Sequence, residues 1–246
     1  TIALTSTGTP ISAIDDVTPN AFEEANAGLT MGIVDVNGSD GTYGIRYTLA
    51  DVAGSGFTLD TFYTSESGSG DANADNAGSG ATFNAAADNG AAWEVVVKGN
   101  VPGVEGLAAG VGYAMLDVVD TYTGAVKSGS NDRDEGTAYL TYAYGPVKVG
   151  VQKSGVYVGS TGILNKTDYY SISYAVSDNL SVSYGRINSA RTTAAGVTAD
   201  ESATGLSASY SMGGMTINVA DNSCDDCNFV SNAKQDYQTV SLAIAF

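Results

Sequence analysis

The chain has 246 residues, of which only 15 % are charged, and those split into 10 Lys+Arg against 27 Asp+Glu for a net charge of −17. Such a balance excludes a nucleic-acid-binding role, which needs a basic face for phosphates. No stretch approaches the ~20 consecutive apolar residues of a membrane helix, which says nothing against strands that cross by alternating. There is no Met start and no basic-then-apolar leader, so a mature chain or a piece of a longer one is expected.

Residues 1–40 do not alternate cleanly. They carry Asp15, Asp16, Glu23, Glu24 and Asp35 with no Lys or Arg. Ala21–Ala27 reads as about two turns of helix, with Asn20 as N-cap and Glu23 three residues on. From Gly41 the period changes to two. Tyr43, Ile45, Tyr47 and Leu49 alternate with small or polar residues, and so do Phe57, Leu59 and Tyr63; Trp93, Val95 and Val97; Leu107, Val111, Tyr113 and Met115. The pattern continues through Leu140, Tyr142 and Tyr144; Val147, Val149 and Val151; Tyr170, Ile172, Tyr174 and Val176; Leu180, Val182 and Tyr184; Leu206, Ala208, Tyr210 and Met212; Met215, Ile217 and Val219. Short turns such as Gly145-Pro146, Ser177-Asp178 and Gly213-Gly214 alternate with long loops at 65–90, 117–134, 157–166, 188–200 and 221–236. The last strand, Tyr237–Phe246, sets Val240, Leu242, Ile244 and Phe246 on one side and Thr239, Ser241, Ala243 and Ala245 on the other.

Successive strand side chains point to opposite faces, so each of these eleven strands has one apolar face and one of Ser, Thr, Gly and Ala. A soluble barrel or sandwich must fill its interior with large apolar groups. Here the apolar parity is expected to meet lipid and the small, polar parity a wet lumen, with positions such as Ser183, Ser209 and Ser241 facing water. Varying loop lengths argue against a β-solenoid, whose repeat length is fixed. The expected fold class is all-β, a transmembrane antiparallel β-barrel. Its domains are an acidic segment (1–40) and a strand region (41–246). Arg186 has the wrong parity for the lumen and is expected to snorkel at the lipid interface.

Eleven strands preceded by an acidic loop resemble the last eleven strands of a sixteen-stranded general porin of the Gram-negative outer membrane. The stretch 13–25 followed by 28–35 is similar to the constriction loop of alphaproteobacterial-type porins. Tyr142-Ala-Tyr-Gly-Pro-Val and Tyr174-Ala-Val-Ser-Asp-Asn-Leu-Ser-Val resemble the family's hairpins. The first five strands would then be absent; if 28–36 is itself a strand, twelve could close a smaller barrel. The resemblance implies a passive channel for small hydrophilic solutes and ions, a homotrimer in a bilayer with lipopolysaccharide, and a terminal Phe246 read by the insertion machinery. The pore constriction would be set by Asp15, Asp16, Glu23, Glu24 and Asp35 facing Arg46, Lys98 and Lys148, with cation selectivity. No cofactor is expected, although oxygen-rich acidic loops suit Ca²⁺.

Three further readings are weighed beside this one. Barrel lipases use a Ser–His pair and this chain has no His, so an enzyme is not expected. An adhesion or surface-interaction protein, in the outer membrane or secreted, would also display long loops. Cys224 and Cys227 are either a short surface-loop disulfide, as exported proteins allow, or a free, inert pair; two thiolates without His make no four-ligand zinc site.

Overall fold

In the computed structural model, residues 1–5, 8–39, 42–65, 89–118, 132–159 and 161–244 are described. Phe246, most of the 65–90 loop and most of the 117–134 loop lie outside them. The described chain forms one antiparallel sheet of twelve strands in sequence order: β1 (Ile2–Thr5), β2 (Gly44–Leu49), β3 (Phe57–Thr64), β4 (Asn89–Asn100), β5 (Leu107–Val118), β6 (Arg133–Tyr144), β7 (Val147–Val158), β8 (Ile163–Ser177), β9 (Leu180–Thr192), β10 (Thr198–Met212), β11 (Met215–Asp225) and β12 (Lys234–Ile244). The eleven expected strands are β2–β12. Among the described residues β1 and β12 are the sheet's edges and do not pair. The turn Gly213-Gly214 has φ +56° and +84°, the left-handed conformation that two-residue hairpin turns favour.

Three details differ from expectation. The extra strand is Ile2–Thr5, paired with β2 through Ile2↔Tyr47 and Leu4↔Ile45, and not 28–36. That second segment alternates, but its backbone donors go to side chains: Thr30 N–H to Gln235 Oε1 (2.8 Å) and Gly32 N–H to Glu201 Oε2 (3.0 Å). Residues 21–27 are turns rather than helix. Long-range bonds from the wall, Ala21 N–H to Ser183 Oγ (2.8 Å) and Asn222 Nδ2 to the Glu24 and Ala27 carbonyls (3.1 and 2.9 Å), outweigh a two-turn helix that would be marginal in any context. Finally, β8–β11 run further into the expected loops, because ladder pairing continues where the apolar alternation stops. The outward residues there are Lys166, Asp168, Asn188, Asp200 and Asp221, with Lys153 Nζ 2.5 Å from Asp168 Oδ1 across β7–β8. Apolar periodicity reports the width of the apolar band and not the length of the strand.

The two faces of the sheet differ sharply. One is bare and carries exposed large side chains, among them Val111, Leu140, Val151, Ile172, Leu206 and Leu242. The other is covered by residues 8–39, the inner loop, and the molecule's core lies between that loop and the sheet. Ile11, Ile14 and Val36 pack on Ala92, Val96, Ala114, Leu116 and Val156. Leu29, Met31 and Ile33 pack on a second cluster of Ala25, Tyr169, Ile187 and Ala203. Under the loop, therefore, the small-residue parity is dry and partly apolar.

Candidate functional site: the inner loop and its anchors

The inner loop has almost no regular structure beyond a 3-10 turn at Ser12–Ile14. Its backbone polar groups must find partners elsewhere, and the covered face supplies them. Glu94 of β4, 1 % exposed, accepts from Ile11 N–H (Oε2, 3.1 Å) and from both the N–H and Oγ of Ser39 (Oε1, 2.8 Å each). Glu135 of β6 accepts from the N–H groups of Asn37 and Gly38 at 2.8 and 2.7 Å, and Arg133 Nε approaches its other oxygen at 2.6 Å. Gln152 of β7 uses both ends, accepting from Val17 N–H (3.2 Å) and donating to the Ile14 and Asp15 carbonyls (3.0 and 2.6 Å). Glu201 of β10 holds Gly32, and Asn222 of β11 holds Glu24 and Ala27. A carboxylate accepting several backbone N–H groups makes charge-assisted bonds, stronger than neutral ones. The sequence reading did not single these anchors out: Glu94 and Gln152 stood among the polar-parity positions of their strands, and Asn222 fell in the expected 221–236 loop. The available signal was clearest at Glu201, an acid in a strand whose following inward residues, Ala203, Gly205, Ser207, Ser209 and Ser211, are all small.

Close approach completes the attachment. Gly205 of β10 sits beneath Ala25, where an added Cβ would lie 2.7 Å from Ala25 Cα and against Asn222 Oδ1. Gly150 of β7 lies under Pro19 in the same manner. Ser183, expected to face open water, lies beneath Ala21 and pairs with Ser207 (2.7 Å).

Of the acids singled out from the sequence, four gather. Burial pushes the Glu24 carboxyl from its ordinary 4.5 up to about 9, helped by its hydrogen bond with Asp16 and by the charges of Asp16, Asp35 and Asp15. Asp35 is also raised, by burial and then by Asp16, while a hydrogen bond with Tyr169 opposes the shift. Glu23 lies with Glu24 along a crevice of about 20 Å³ also lined by Tyr169, Ser171 and Ser183, the room one water needs.

The bases do not face this cluster as an opposed row. Arg46 is an anchor at the loop's start: its guanidinium bonds the Asp60 carboxylate and the Gly8 carbonyl (Nη1, 2.6 Å). Lys98 acts electrostatically on that same Asp60. Lys148 is exposed on β7, two residues from the Gly150 that underlies Pro19. Arg186 is exposed on the bare face with its Nε 3.0 Å from Asn188 Oδ1. Cys224 and Cys227 form a disulfide.

No protein-family model and no curated protein matches the chain. Solved structures do. A porin aligns over 100 % of this chain and 77 % of its own, with TM-score 0.61 and 15 % identity. The trimer form of OmpT, an outer membrane protein of Vibrio cholerae, aligns over 98 % and 74 % with TM-score 0.59 and 14 % identity. An anion-selective porin from Comamonas acidovorans aligns over 83 % and 60 % with TM-score 0.58 and 16 % identity. The chain has the fold of the outer-membrane β-barrels, twelve strands of it.

Proposed function

We propose that this chain forms the wall and the constriction of a passive channel for small hydrophilic solutes and ions in a bacterial outer membrane. The observation that carries the reading is the pairing of a bare apolar sheet face with an opposite face on which an acid-rich loop is anchored. The first face suits lipid and the second a water-filled passage narrowed by the loop. Transport of this kind needs a diameter and a field and no catalytic group. The likeness to porins supports the general reading.

The sign of selectivity rests on this chain's own residues, since one of the similar barrels is anion-selective. Asp15, Asp16 and Asp35 stand around Glu24, which keeps its proton at neutral pH, while Arg46 is engaged by Asp60, so we infer a preference for cations carried by the three aspartates. Lys98 and Lys148 would temper it. Calcium held by these carboxylates would reduce it. We further infer a homotrimer in a bilayer that carries lipopolysaccharide; the trimer form of the similar OmpT supports the trimer.

Ion conductance in planar bilayers tests the channel. The reversal potential under a KCl gradient tests the sign, with cation preference weakening as salt rises and the Debye length falls below about 10 Å. Neutralising Asp15, Asp16, Glu24 and Asp35 together should move the reversal potential toward zero, and Asp225 and Asp226 should do much less. Bilayers that stay silent, or hydrolysis of lipid or peptide, would overturn the reading.

A further inference from the structure

The connection between β11 and β12 reads in the sequence as a surface loop, yet its tip reaches the inner loop. Asp226, Asn228 and Phe229 all have positive φ (55°, 57° and 58°), which curls the chain into a tight 3-10 turn at Cys227–Phe229. The Asn228 N–H donates to Glu201 Oε2 at 2.8 Å, the same oxygen that accepts the Gly32 N–H at 3.0 Å. The Phe229 ring lies 2.6 Å from where a Cβ on Gly32 would stand. Arg191 of β9 stacks on that ring at 4.2 Å and donates to the Gly32 carbonyl at 2.9 Å. Both backbone groups of Gly32 are thus held at one corner, and the ring closes over it. Cys224 belongs to β11, in register with Ala203 and Gln235, and is bonded to Cys227 beside Asn228. Both sulfur-bearing residues are buried, and Gln235, next to Cys224 in the ladder, holds Thr30.

We propose that this disulfide-closed tip is a redox-sensitive latch on the inner loop. With the bond intact, Asn228 and Phe229 keep Gly32 seated against Glu201 and Arg191. A dithiol reductant passes two hydrogens to the Cys224 and Cys227 sulfurs, the S–S bond breaks, and the reductant closes its own disulfide. The tip then opens, Asn228 leaves Glu201, and Gly32 loses the ring that covers it. The effect on ion flow rests on the channel reading above: a looser loop gives a noisier open-channel current.

The test is amide hydrogen exchange on the whole folded protein in lipid, before and after dithiothreitol, with reduction verified by alkylation and mass. The C224S/C227S variant is measured beside it, so that resistance to reduction or a failure of the variant to fold still leaves one arm. Removing a cross-link that closes so short a loop should speed exchange at Asn228 and Gly32 together by roughly tenfold or more, with β5–β8 amides unchanged. Faster exchange at Asn228 alone would show that the bond steadies only its own turn and would overturn the latch, as would no change at either residue. A wild-type protein that passes no current defeats the channel reading, and the exchange at Gly32 still decides the latch.

Discussion

Leu206 and Ser207 are neighbours in β10, yet Leu206 is 59 % exposed on the bare face while Ser207 is 3 % exposed beneath the inner loop. The same inversion recurs along the sheet, where Val240 is 78 % exposed and Glu94 is 1 % exposed. In a protein folded for water alone, buried Glu and exposed rows of Val, Leu and Tyr would be penalised on both counts. The difference teaches that alternation here divides two solvents. It also teaches that the covered face is not simply wet: carboxylates on it serve as acceptors for an irregular segment that has no ladder of its own.

The largest expected effect comes from exchanging the two environments. Ala208→Arg, set between Val182 and Val219 in the ladder, puts a charge inside the apolar band of the bare face and should cost about 2–4 kcal/mol of folding into lipid vesicles. Ser209→Arg, the next residue and one face over, should fold nearly normally. Equal costs would break the distinction between the faces.

Next comes removal of an anchor. Glu94→Ala leaves the Ile11 N–H and the Ser39 N–H and hydroxyl without their acceptor, and with water entering the vacated space the net cost should be about 1–3 kcal/mol. Hydrogen exchange should rise at Ile11 and Ser39 and stay slow in β7–β10. Rapid exchange throughout would mean that the loop and the sheet are one cooperative unit.

A finer contrast uses two glycines under the same residue. Gly205→Ala drives a methyl to 2.7 Å from Ala25 Cα, whereas Gly185→Ala meets Ala25 Cβ at an ordinary 3.4 Å. The first should lower thermal stability by about 1–3 kcal/mol as overpacking does, and the second should change it little.

An effect spread over pH, and not tied to one contact, is a stability slope set by Glu24. Glu24 holds its proton to about 9 in the folded protein against an ordinary 4.5. Between those values the folded state binds a proton that the unfolded chain has released, so stability falls as pH rises. The contribution is full below about 4.5 and is lost as pH passes 9. Thermal melts of Glu24→Gln should lack this slope, and the cation preference of the wild type should grow as Glu24 ionises near pH 9.

Much of the sheet was legible in the sequence because a period of two needs only local information. Tyr170, Ile172 and Tyr174 declare β8 by themselves, and Gly213-Gly214 declares its turn. The inner loop was legible only as a place and a charge. Whether 28–36 pairs as a strand depends on Glu201 and Gln235, which are 169 and 205 residues away from their partners Gly32 and Thr30. Ser183 has the same character as Ser209 in sequence, but Ala21 lies over one and not the other. Arg46 read as a lumenal base facing the loop acids, but the β2–β3 pairing sets Asp60 opposite Thr48 and so diagonally within reach of the Arg46 guanidinium.

The central claim is that one face of this sheet meets water and the other meets lipid, with the inner loop shielding part of the first. Single cysteines at Ser209, Ser241, Ser183, Leu206 and Leu242, treated with a water-soluble thiol reagent in the membrane, test it directly. The account predicts rapid labelling at Ser209→Cys and Ser241→Cys with a fall in conductance, slow labelling at Ser183→Cys while the loop is seated, and none at Leu206→Cys or Leu242→Cys. Rapid labelling at the two leucine positions with protection at Ser209 and Ser241 would contradict it.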